Sequence, residues 1–99
     1  MIMRALLLLP FLALPAAAAS YKLPPETATL LPGPDMDVAQ TNCTVCHSPD
    51  YITTQPRSFA NPTAFWTGEV TKMRKSYGAA IDDETAATII KYLAATYGH

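Results

Sequence analysis

Residues 43–47 read Cys43-Thr44-Val45-Cys46-His47. Two thiols three positions apart, followed at once by an imidazole, form the attachment signature of a c-type haem. At the end of a helical turn the two sulfurs reach the two vinyl groups of one porphyrin. The next residue then lies under the iron and donates a ring nitrogen. Other uses of these residues fit less well. A thioredoxin-like redox pair belongs in a βαβ setting, and no β-alternation of any length appears in the chain. A structural zinc site takes four ligands, and the only other histidine is the final residue, His99. A disulfide across so short a loop constrains little unfolded-chain entropy.

The iron then needs a sixth ligand. After the motif the chain holds one methionine, Met73, and one histidine, His99; Met36 precedes the motif, and Met1 and Met3 stand at the start. Elimination points to Met73. The alternatives are an open sixth site, ligation by His99, and Met73 as filler on a buried helix face, a common use of methionine. His/Met ligation raises the potential and closes the iron to small molecules, which suits electron transfer. The proximal histidine should donate its other ring N–H to an oxygen, and the Pro56 carbonyl is one choice among the loop carbonyls. Arg57 and Trp66 can donate to haem propionates, or serve as a surface arginine and a core tryptophan.

Working outward, Asp35 or Asp37 caps a short helix running into Cys43, with Val38 and Ala39 facing inward. Residues 48–60, with Pro49, Thr53, Thr54 and Pro56, read as loop. Asn61-Pro62 places an N-cap before a first-turn proline. Phe65 or Trp66, Val70, Met73 and Tyr77 then recur at helical spacing, and Gly78 supplies the stop. A last helix starts at Asp82 or Asp83, with Ala86, Ile90, Leu93 and Tyr97 as its stripe and Gly98 at its end. Residues 36–99 thus predict a mainly α domain of about three helices packed around one covalent haem. Residues 20–35 hold Pro24, Pro25, Pro32, Gly33 and Pro34 and read as an extended arm outside the core. It is either a disordered leader or a segment that lies on a partner.

Residues 1–19 have the order of a secretory signal peptide. Arg4 is followed by an apolar run over 5–19 that ends in Ala16-Ala17-Ala18-Ala19. The run is shorter than the roughly 20 residues that span a bilayer. Cleavage is expected near Ala19, giving a periplasmic protein with no stable membrane insertion. Export and haem attachment agree, because such haems are attached outside the cytoplasm. The net charge of −1 gives no basic excess for nucleic acid. The one concentration of positive charge, Lys72, Arg74 and Lys75, brackets Met73. It reads as a rim that steers an acidic partner or as a solvated helix face. No nucleophile–base pair is present, so no catalysis beyond electron transfer is expected.

A wider set of words accompanies the motif: Ser48-Pro49-Asp50-Tyr51-Ile52, Gln55-Pro56, Trp66, Glu69-Val70-Thr71-Lys72-Met73, Tyr77-Gly78-Ala79 and Ile90-Lys91-Tyr92-Leu93. Together they resemble a small monohaem cytochrome c, and more narrowly the cytochrome subunit of bacterial periplasmic sulfite dehydrogenases. The resemblance covers most of residues 30–97 and places Met73 where that family has its axial methionine. It implies a molybdopterin sulfite dehydrogenase subunit as electron donor, a downstream redox protein as acceptor, and a non-catalytic role for this chain. A free-diffusing carrier for other redox partners is the alternative. A gas- or redox-sensing protein with an open sixth site is a third.

Overall fold

The computed structural model describes residues 18–98. It contains α1 (Met36–Cys43), α2 (Asp50–Thr53), α3 (Pro62–Ser76) and α4 (Asp83–Thr96), with no strand among the described residues. The fold is mainly helical, as expected. Most of the expected signal peptide, residues 1–17, and the alternative ligand His99 lie outside the described residues. No described helix is long and apolar enough to cross a membrane.

The two long helices begin where their caps predict. Asn61 Oδ1 accepts from the Ala64 amide at 3.0 Å, with Pro62 opening α3. Asp82 Oδ1 accepts from the Thr85 amide at 2.7 Å, and this bond holds the Asp82 carboxyl below the usual range. The cap therefore stabilises the fold above the ordinary carboxylate pKa. That contribution is lost as pH falls through the lowered folded-state value. At α1, Asp35 occupies the N-cap in a left-handed conformation (φ 64°) and its side chain makes no capping bond. The entry to α1 is instead closed by the Met36 amide bonding the Gly33 carbonyl at 3.2 Å.

The fourth helix, α2, is a single turn inside the segment read as loop. The amides of Ile52 and Thr53 donate to the Pro49 carbonyl at 2.8 and 3.1 Å. Thr54 Oγ1 donates to the Asp50 carbonyl at 2.6 Å. The proline and threonines that read as breakers thus close a turn: Pro49 precedes it, where no amide is needed, and Thr54 bonds backward.

Helix α4 packs against both α3 and α1. Its buried face is wider than the expected stripe: Ala86, Ile89, Tyr92, Leu93 and Tyr97 are buried, and Ile90 only partly. A helix touching two neighbours buries a broad face, which a single row of side chains understates. On α3, Trp66 and Val70 are buried. Tyr77 stands 72% exposed because the helix has ended at Ser76. Gly78 follows with φ 71°, the left-handed turn that favours glycine. Gly98 is a packing residue and not the helix stop. The Tyr97 amide already closes α4 on the Leu93 carbonyl at 2.8 Å. A Cβ on Gly98 would lie 2.1 Å from the Ala94 carbonyl oxygen and 2.5 Å from Pro62 Cβ.

The arm does not stay outside the core. Leu30 is 3% exposed within the main apolar cluster, and its amide donates to Gln40 Oε1 at 3.1 Å. The next peptide is gripped from both sides. The Leu31 amide donates to the Tyr97 hydroxyl at 2.8 Å, and the Tyr92 hydroxyl donates to the Leu31 carbonyl. Burial pushes the Tyr92 hydroxyl pKa well up, so it remains a donor. Leu30 is the buried exception in the expected arm; Tyr21 and Leu23 before it and residues 31–35 after it are exposed. Leu30→Ala should therefore cost about 2–5 kcal/mol in denaturant unfolding, as for a core leucine. A change within about 0.5 kcal/mol, typical of surface sites, would return Leu30 to the arm.

Candidate functional site

Helix α1 carries the first cysteine to its last position. Thr44 ends the helix there, its amide and Oγ1 both bonding the Gln40 carbonyl, at 3.2 and 2.7 Å. Cys43 is half-buried, and burial pushes its thiol pKa up; Cys46, beyond the turn, is exposed. Both are free thiols. The chain then turns back through His47 into α2.

His47 Nδ1 lies 3.0 Å from the Ser48 carbonyl oxygen. That oxygen can only accept, so the bond places the proton on Nδ1 and leaves the Nε2 lone pair free to bind a metal. The acceptor is a loop carbonyl, as expected, but that of Ser48 and not the candidate Pro56. The α2 turn folds Ser48 back onto the ring, and Pro56 lies exposed beyond the turn.

Cys43, Cys46, His47 and Met73 line one cleft, walled by Ile52, Trp66, Val70, Ile89 and Leu93. Apolar walls with few polar groups are the usual lining of a cofactor or ligand site. Among the described residues, no three His, Cys, Asp or Glu side chains converge closely enough to hold a metal ion by themselves. Met73 enters from α3, one turn beyond Val70 and half-buried. Its carbonyl is held by the Ala79 amide at 3.0 Å, so the chain after Gly78 folds back onto it.

One observation bears directly on what the cleft accepts. Trp66 is 2% exposed and lines the cleft, yet its buried indole Nε1–H has no partner. A buried donor without a partner costs about 1–3 kcal/mol. A ligand that brings an acceptor to this wall removes the cost, and a haem propionate is such an acceptor. The residues present therefore fit a haem: two thiols, an imidazole with a free Nε2, a thioether, apolar walls and an unanswered donor. Arg57, the other expected propionate donor, instead lies over the Tyr97 ring, 5.2 Å from its centroid.

Sequence reasoning missed several cleft residues. Glu69 is on the wall, and its spacing of four from Met73 was the available signal. Tyr51 and Ile52 belong to the unrecognised α2, and Ile89 to the wider face of α4. The positive rim is also smaller than expected. Lys72 pairs with Glu69 at 2.8 Å, which raises the Lys72 pKa, and Arg74 pairs with Asp83 at 2.7 Å. Lys75 alone of the three has no ion pair among the described residues. Comparison with protein-family models finds no match, and comparison with curated proteins finds none.

Proposed function

We propose that this protein is a periplasmic electron carrier with one covalent haem c. We further propose that it is the cytochrome subunit that takes electrons from a molybdenum sulfite dehydrogenase and passes them to a downstream redox protein. The observation that carries the haem reading is that Cys43, Cys46, His47 and Met73 line a single apolar cleft. The resemblance of residues 30–97 carries the choice of partner.

When bound, the haem supplies a one-electron ferric/ferrous couple. Cys43 and Cys46 would hold it through thioethers. His47 binds the iron through Nε2, with Nδ1–H held by the Ser48 carbonyl. Met73 offers its sulfur from the α3 side, and a thioether ligand raises the potential. Trp66 holds a propionate through Nε1–H. Ile52, Val70, Ile89 and Leu93 keep water from the iron, which favours the less charged ferrous form and limits reorganisation.

The test uses native protein from the periplasm. Denaturation in acid and organic solvent should leave the haem on the chain. Sulfite together with the molybdenum subunit should then reduce it, while sulfite alone should not. Haem that extracts freely would refute the carrier. Covalent haem that the molybdenum subunit never reduces would leave a carrier for other partners.

A further inference from the structure

His47 is held by more than its neighbour's carbonyl. The Tyr51 ring packs against the imidazole, with centroids 5.1 Å apart and planes tilted by 48°. The Tyr51 amide also donates to the Ser48 carbonyl at 3.3 Å, the same oxygen that receives His47 Nδ1–H. That carbonyl is itself fixed. Ser48 Oγ accepts from the Asp50 amide at 3.2 Å, and Pro49 between them is among the most deeply buried side chains. The turn from Ser48 to Tyr51 thus holds His47 at two places, with the Ser48 carbonyl at its Nδ1 edge and the tilted Tyr51 ring beside it.

We propose that Tyr51 is the positioning residue for His47: its ring sets the imidazole plane, and its amide shares the Ser48 carbonyl that fixes the tautomer. The proposal rests on the haem reading above. An imidazole held only at Nδ1 still rocks about that hydrogen bond. The Tyr51 ring, tilted by 48° with its centroid 5.1 Å away, limits that rocking from one side. The shared carbonyl has a second effect. An oxygen already accepting from the Tyr51 amide is a weaker acceptor for Nδ1–H, so His47 is a less basic ligand than with a sole acceptor. A less basic axial ligand favours the ferrous state. Tyr51 is 63% exposed and lines the cleft, so its ring also covers an edge of His47 that water would otherwise reach.

Three substitutions test the ring in the haem-loaded protein, all of them keeping the Tyr51 amide on the Ser48 carbonyl. The readouts are the ferric low-spin electron paramagnetic resonance spectrum, which responds to the axial imidazole plane, and the reduction potential. Tyr51→Phe keeps ring and amide and should match the unaltered protein in both. Tyr51→Ala removes the ring, and should broaden the resonance lines and lower the potential as water reaches His47. Tyr51→Leu keeps apolar cover without a flat ring, and should broaden the lines while holding the potential nearer the original. Covalently loaded Ala and Leu variants with unchanged line shape would overturn the proposal, as would a Phe variant that behaves like Ala. Haem that washes off the unaltered chain in denaturant would overturn this proposal together with the reading beneath it. If the Ala variant does not fold, the Phe and Leu pair still decides.

Discussion

Replacing both Cys43 and Cys46 with serine should yield a protein whose haem is lost on denaturation in acid and organic solvent, while the unaltered chain keeps it. Each single substitution should leave one thioether and a haem that stays on the chain. The two singles should differ in stability. Cys43 is half-buried and Cys46 exposed, so a serine hydroxyl at 43 bears the larger desolvation cost. The double substitution should also weaken the fold, because the cleft runs through the core: Ile52, Trp66, Val70, Ile89 and Leu93 are both core residues and cleft wall. A domain this small gains much from a large bound group. A covalent haem would remain on the unfolded chain, so it would stabilise the fold through the apolar burial and axial ligation that only the folded state provides. The double variant should therefore melt well below the unaltered protein in far-ultraviolet circular dichroism, with added haem restoring part of the loss. Equal melting of the two, with no haem on either, would remove the cofactor from the account.

Met73→Ala should abolish the weak long-wavelength sulfur-to-iron charge-transfer band of the oxidised protein and lower its potential. The expected fall is on the order of 0.1 V or more, within the roughly 0.8 V that axial ligation spans among haem proteins. The direction follows from the thioether's preference for ferrous iron. The geometry makes the effect specific to this residue. Met73 is the methionine that lines the cleft, and its backbone is pinned by the Ala79 amide at 3.0 Å. The vacated position should also admit small ligands, so the ferrous variant should bind carbon monoxide while the unaltered protein does not. A band that survives the substitution would assign the sixth position to another group.

The residues that marked the site in the sequence lie close together in the chain. Two thiols and a histidine within five positions state their chemistry without reference to anything distant. The same holds for Asn61-Pro62 and Asp82, because a cap bonds amides two or three residues away and needs no partner from elsewhere. Met73 was singled out by elimination, which works only because the chain has so few methionines, and it does line the cleft. Its place on the cleft wall required α3 to present Trp66, Val70 and Met73 to one side.

By itself, then, the sequence determined the starts of α3 and α4, the mainly helical class and the Cys43–His47 motif, all set by interactions a few residues long. The tertiary structure decided which surfaces meet. Leu30 joined the core because Tyr92 and Tyr97, the latter 66 residues beyond Leu31, hold the adjoining peptide. Ile89 was buried because α4 lies between two helices. Glu69 took the charge of Lys72, and Asp83 that of Arg74, so the positive rim shrank. Backbone bonds within a turn are encoded by adjacent residues, whereas burial and ion pairing depend on distances that exist only after the chain has closed on itself.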